Sequence, residues 1–203
     1  MTGWQETPAG EAEITALDFE TTGSVPGWPV EPWQIGLVAL RGGRVVAASR
    51  TSRLLRIEAE RPFNPHAPGR HAQARGALAA APALADLWPE LAADWLAGRP
   101  LAAHNVGTER TVLKRAAPLH ALGPWLDTLA LARHAYPALA DHALDTLIPA
   151  LGLRQRLEEV APDGAPHDAG YDACACAVLL EHLLALPGWE RVTLGALAAP
   201  GGR

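Results

Sequence analysis

The sequence predicts a layered α/β domain, and three observations carry that prediction. The first third holds three apolar runs of strand length, the first two separated by a proline-rich stretch and the last two by a tight turn. From residue 83 onward, short apolar runs alternate with segments whose apolar residues recur at helical spacing. At 203 residues, 49% of them hydrophobic, the chain can bury one sizeable core and is not globally disordered.

Residues 1–12 are polar and read as a loose leader. A strand follows at about 13–20, a second at 33–40 and a third at 43–50, the last two joined by Arg41-Gly42-Gly43, which has the chemistry of a tight hairpin. Three neighbouring strands with short links imply an antiparallel meander. Residues 24–32 contain Pro26, Pro29 and Pro32 and cannot be regular structure, so they form an exposed loop beside the end of strand one. Residues 56–76, rich in Arg, Pro and His, receive no element. A helix is expected at 83–97, where Leu84, Leu87, Trp88, Leu91 and Trp95 fall at helical spacing; that spacing makes the two Trp core residues rather than stacking platforms. A buried strand at 100–104, a helix at 107–117, a strand running into a helix over 125–132, a helix at 142–151 and a long helix at 169–186 complete the pattern. The remainder, 187–203, is a short tail.

Composition excludes several classes. No run approaches the ~20 apolar residues needed to span a bilayer, and the N-terminus lacks the blocks of a signal peptide, so a cytoplasmic protein without a membrane partner is expected. A formal charge of −5 argues against non-specific coating of nucleic acid, but not against handling one strand end. Cys174 and Cys176 sit two residues apart on the last helix, point to different sides, and are expected as buried reduced thiols.

Three stretches carry chemistry. In Ile14 to Gly23, ITALDFETTG, the strand period of two puts Asp18 and Glu20 on one face, half of a cage for a hard divalent cation. At Ala103-His104-Asn105 a short apolar run meets a polar turn, with Glu109 four residues after the Asn. At His167-Asp168-Ala169-Gly170-Tyr171-Asp172 a His precedes an Asp by five residues at the start of the long helix.

In this order the three stretches resemble the motifs of the DEDDh 3′–5′ exonucleases, the superfamily of DNA polymerase proofreading subunits, ribonuclease T and oligoribonuclease. The resemblance covers about residues 13–186, which would be the exonuclease domain. It implies a ribonuclease-H-like fold, a mixed five-stranded sheet led by three antiparallel strands and flanked by helices. It also implies hydrolysis of single-stranded DNA or RNA from the 3′ end with two divalent metal ions, Mg²⁺ or Mn²⁺, and a possible DNA polymerase partner. Asp18, Glu20, Glu109 and Asp172 would be the metal ligands and His167 the general base, an imidazole ordinarily titrating near ~6.5. Thr21, Thr22, Gly23, His104 and Asn105 would surround the terminal nucleotide.

The second motif departs from the family, with Glu109 where relatives carry Asp. A longer ligand keeps the charge, whereas an ion pair with Arg110 or Arg115 would make it a surface residue and the chain a catalytically weakened binding module. Asp127 is either a helix cap or a neighbour of the site. Trp28 either stacks on a base or packs on its own loop. The segment Arg70 to Gly76 lacks the His-Gly-Ile wedge of many proofreading relatives.

Overall fold

The computed structural model of the chain describes residues 3–69 and 71–198, leaving Arg70 and both termini of the expected leader and tail outside the described residues. The fold is the ribonuclease-H-like α/β arrangement anticipated above. Its sheet contains β1 (Ile14–Thr21), β2 (Pro32–Arg41), β3 (Arg44–Val45), β4 (Thr51–Leu54), β5 (Leu101–Ala103) and β6 (Trp125–Asp127). The order is β3-β2-β1-β5-β6, with β4 also on β2. β1 and β2 pair antiparallel over eight registered positions, and β5 and β6 add in parallel.

The expected third strand at 43–50 is in fact broken. Gly42 and Gly43 both take positive φ, 59° and 69°, and close the turn that pairs Arg41 with Arg44. Beyond Val45 a 3-10 turn at Ala47–Ser49 interrupts the strand, and the Ser49 hydroxyl accepts the Ala39 N–H at 2.9 Å in place of a backbone carbonyl. Pairing with β2 then resumes as β4.

Helices follow at α1 (His71–Ala80), α2 (Leu84–Leu91, continuing as a π-helical stretch Ala92–Leu96), α3 (Gly107–Ala116), α4 (Thr128–Ala135), α5 (Leu144–Ala150), α6 (Arg154–Val160), α7 (Ala169–Leu184) and α8 (Leu194–Ala198). Helix α1 was not expected, and neither was α6, which buries only Leu157 and Val160 and so carries too little periodicity to register. Gly152, at φ +70°, separates it from α5.

The leader is not loose where it is described. Two 3-10 turns, Trp4–Glu6 and Ala9–Glu11, hold it against the C-terminal segment through Ala9 N–H to the Val192 carbonyl at 2.8 Å and Leu194 N–H to the Thr7 carbonyl at 2.9 Å. Those bonds satisfy backbone groups of both ends at once.

Alternation along β1 divides the core. Ile14 and Ala16 face α7 with its buried Cys174, Cys176, Leu179 and Leu183, while Leu17 and Phe19 face α2 and α3 with Leu91, Val112 and Leu113. Trp88 and Trp95 are half-buried against the second cluster. Both cysteines are buried and free, as expected. No helix among the described residues is long and apolar enough to cross a membrane.

The position of α7 is set by Gly36. It stands directly across from Asp18 in the β1–β2 register, and a Cβ there would lie 2.0 Å from the Ala169 carbonyl oxygen and 2.4 Å from the Gly170 nitrogen. The first turn of α7 therefore rests on bare β2 backbone. Gly36→Ala should cost at least about 1–3 kcal/mol of stability, the usual penalty for overpacking. Gly76→Ala, at an exposed α1 position with open space around it, should instead stabilise by about 0.5–1 kcal/mol. Denaturant unfolding of both variants checks this; a neutral Gly36→Ala would show that α7 can shift freely.

Candidate metal centre and catalytic cleft

The end of β1, the N-termini of α3 and α7 and the 64–68 loop enclose a cleft of about 700 Å³ lined by Asp18, Glu20, Thr21, Gly23, His104, Asn105, Glu109, His167 and Asp172. Every residue singled out from the three motifs reaches it except Thr22.

Glu20, His167 and Asp172 are the tightest group, each offering a ligand atom within 4.8 Å of the others. Asp172 sits in the first turn of α7 and accepts the His167 backbone N–H at 3.0 Å, which ties the loop bearing the imidazole to the helix. His167 itself is exposed and holds φ +63°, a conformation unusual for a residue with a side chain. Asp18 stands two residues before Glu20 on the same face, and Glu109 approaches from α3.

The electrostatics are those of crowded acids. Burial, followed by Glu109, Asp172, Glu20 and Asp168, holds the Asp18 carboxyl well above its ordinary range. Glu20 is pushed up to about 7 by burial and then by Asp172 and Asp168. Glu109 is also raised to about 7, by burial, with backbone hydrogen bonds at its own residue and Phe19 pulling it partly back. Asp172 is raised to about 6 by burial, against the pull of the His167 N–H and imidazole.

Glu109 is buried, and its Oε2 has no hydrogen-bond partner among the described residues. The surface ion pair with Arg110 or Arg115 is therefore not formed. An orphaned buried carboxylate oxygen beside other carboxylates is a donor set suited to a hard divalent cation, which would supply the missing charge.

The walls depart from expectation at two residues. Thr22 is fully buried: its hydroxyl accepts the Glu31 N–H and an Arg61 guanidinium N–H, both at 3.1 Å, and its own N–H goes to the Glu31 carbonyl. It holds the proline-rich loop and does not line the cleft. His104 borders the cleft, but both ring nitrogens are engaged. Nε2 donates to the His142 carbonyl at 2.8 Å, so Nδ1 is left to accept from the Thr128 hydroxyl at 3.0 Å. Burial lowers its pKa and favours this neutral form. The resemblance implies nucleotide contacts for both; in the structure Thr22 lies outside the cleft wall, and His104 lines it with both ring nitrogens engaged.

Asp127 caps α4 through Leu129 N–H at 3.0 Å and also accepts the Asn105 N–H at 3.0 Å, holding Asn105 in its φ +70° turn. Trp28 packs under the Arg61 guanidinium, 5.0 Å from the ring centre. Arg75, on α1, lies 4.4 Å over the Phe63 ring.

Several residues were missed. Gln34, across from Glu20, donates to Asp168 at 2.8 Å and to Ser52 at 3.0 Å, while Asp168 caps α7 at the Tyr171 N–H. A glycine inside a strand, Gly36, and an Asp just before a helix are the signals that were available. Asn64 and His66, also in the cleft wall, lie in the stretch without periodicity and had no signal.

Comparison with known proteins identifies the family. The RNase_T family model, described as exonuclease, matches residues 15–180. The chain thus belongs to this exonuclease family, and its function is that of a nuclease. Among solved structures it is similar to exonuclease X in complex with 5′ overhanging duplex DNA, at 26% identity and a TM-score of 0.67, covering 91% of this chain and 99% of that one. It shares its fold with a 3′-exonuclease that recognises the histone mRNA stem-loop, at 14% identity, TM-score 0.67, covering 94% and 72%. The same holds for S. pombe Pop2p in its Mg²⁺- and Mn²⁺-bound form, at 14% identity, TM-score 0.67, covering 91% and 87%. A search of curated proteins returns no significant match.

The raised carboxyls make a pH prediction. In chelator, the folded protein keeps protons on Glu20, Glu109 and Asp172 that the unfolded chain releases near its ordinary values of about 4. Their contribution to stability is full below those ordinary values and is lost as pH rises through about 6 to 7. The melting temperature in chelator should therefore fall between about pH 5.5 and about pH 8, and Mn²⁺ should raise it more at the higher pH. An equal Mn²⁺ effect at both pH values would show that these acids do not share a cation.

Proposed function

We propose that the chain is a metal-dependent 3′–5′ exonuclease that releases nucleoside monophosphates from single-stranded DNA or RNA ends, with residues 13–186 as its catalytic domain. The observation that carries this reading is the convergence of Glu20, His167 and Asp172 within 4.8 Å in a cleft shared with Asp18 and Glu109. In it, Asp18, Glu20, Glu109 and Asp172 would hold two Mg²⁺ or Mn²⁺ ions. Such ions, when bound, neutralise charge on the phosphate and favour formation of the attacking hydroxide.

The remaining work belongs to the chain. His167 accepts the proton of the attacking water at a ring nitrogen, and its backbone bond to Asp172 keeps that base in register with the ligand. Thr21, Gly23 and Asn105 line the space for the terminal nucleotide, with Asn64 and His66 on the facing wall. Thr22 and His104 act behind them, holding the loop and the α4–α5 junction.

Incubation with 5′-labelled single-stranded DNA and RNA, with and without Mn²⁺, tests the reading. A ladder shortening from the 3′ end is expected, abolished by chelator and by Asp172→Ala. His167→Ala should lower turnover about 10²–10⁴-fold, the usual contribution of a general base. Full activity in excess chelator, or a single short labelled product marking attack from the 5′ end, contradicts it.

Glu109 separates an active enzyme from a weakened module. Its extra methylene demands a shifted helix or looser coordination, which Mg²⁺ tolerates poorly, so activity should favour Mn²⁺. Glu109→Ala should be severely impaired, and Glu109→Asp should retain activity and use Mg²⁺ better. Rates of the three forms in each metal decide the matter; wild-type rates from Glu109→Ala would reduce the site to three carboxylates.

A further inference from the structure

Beside the catalytic cleft, the exposed face of α3 and the segment leading to β6 form a second groove, of about 740 Å³. It begins at Gly107, next to Thr108 of the cleft wall, and is lined by Arg110, Lys114, Arg115, His120 and Trp125. None of its lining residues is acidic. In a chain of net charge −5 this concentration of cations is local.

Arg41, Arg53, Arg56, Arg61, Arg99 and Arg156 each lie within 4 Å of a carboxylate. Among the described residues no such partner occurs for Arg110, Lys114 or Arg115. Lys114 and Arg115 sit in the last turn of α3, where cations suit the helix dipole, and each spends one donor on a carbonyl, of Pro118 and Val30. Arg110 sits in the first half of the helix, where the dipole offers it nothing, so helix stability does not account for it. Arg110 and Lys114 are one turn apart, about 5–6 Å between Cβ atoms, and can meet two points along one strand. His120 is held edge-on against Trp88, 5.2 Å between ring centres, and Trp125 offers half-buried ring surface. Cations interleaved with rings, and no acids, are the composition of a single-strand track.

We propose that this groove binds the phosphodiester backbone of single-stranded nucleic acid beyond the nucleotides that occupy the cleft. The inference rests on the nuclease reading only for the strand's continuation out of the cleft, so binding is measured without hydrolysis. The protein carrying Asp172→Ala is compared with the same protein also carrying Arg110→Ala and Lys114→Ala, by anisotropy of fluorescein-labelled dT and rU strands of about 20 and about 4 nucleotides. Removing two phosphate contacts should raise the dissociation constant for the long strands about tenfold and lower the log–log salt slope by about 1.4, at ~0.7 per contact. The short strands should bind unchanged, and the tighter of the two long strands identifies the sugar preferred. With Asp172 restored, the double variant should show a raised KM on the long strand and an unchanged kcat. Unchanged affinity for the long strands, or an equal loss for the short ones, overturns the proposal. Binding through these cations by a protein that hydrolyses no strand would sink the catalytic reading and keep this one.

Discussion

The contact on which the rest of this structure depends is the seating of the first turn of α7 on Gly36. Because Gly36 faces Asp18 across the β1–β2 ladder, the helix start is brought over the strand that carries two of the acids. Everything placed by α7 inherits that position: Asp172 in its first turn, Asp168 at its cap, and the His167 loop bound to Asp172. Gln34, two residues from Gly36 on the same face and paired with Glu20, fixes the rotation of the helix by holding Asp168 and the Ala169 N–H. Absence of a side chain at one position and a fully engaged amide at another thus convert a sheet register into a three-dimensional site.

That site works against its own fold. The cleft carboxyls of Asp18, Glu20, Glu109 and Asp172, all raised in pKa, represent burial and repulsion that packing elsewhere must offset. The offset is visible in α7, nearly all of whose residues are buried, including Cys174 and Cys176. It is also visible in Glu181 near the far end of α7, which takes the Val45 N–H and the Arg156 guanidinium and so pins the β2–β3 hairpin to the helix. Here a buried acid is fully satisfied and its pKa falls; at Glu109 one oxygen is left without a partner and its pKa rises. The contrast between the two glutamates separates a carboxylate whose partners are all in the fold from one that the fold leaves short of a partner.

The parts of the fold legible in the sequence were those with strong period. Alternation in Ile14 to Glu20 identified both β1 and the common face of its acids, and apolar spacing identified α2 and α7. What was hidden depended on tertiary partners. The break at Ala47–Ser49 exists because a serine hydroxyl replaces a ladder carbonyl, which no local propensity announces. The leader is ordered by residues some 180 positions away, Val192 and Leu194. The motif residues reached the cleft almost as a set, but the engagement of Thr22 and His104 within the fold depends on distant partners, Arg61, Glu31, His142 and Thr128, that no local pattern announces.

Arg61 shows how the remaining charge is distributed. Almost fully buried, it stands 3.3 Å from Glu31, donates to the Thr22 hydroxyl and to the Pro29 and Pro62 carbonyls, and lies over Trp28. A loop with three prolines has few amide donors of its own, so one guanidinium with five N–H groups serves its carbonyls instead. Its work is to fix the turn Thr21-Thr22-Gly23, where Gly23 at φ +66° packs against Asn64 and Ala67. A lysine could not make that set of contacts, because its three donors leave from a single atom. The strong preference of this chain for arginine thus has a structural use at Arg61 and Arg156, where planar donors are spent inward. On α3, by contrast, Arg110, Lys114 and Arg115 are exposed and have no carboxylate within 4 Å among the described residues.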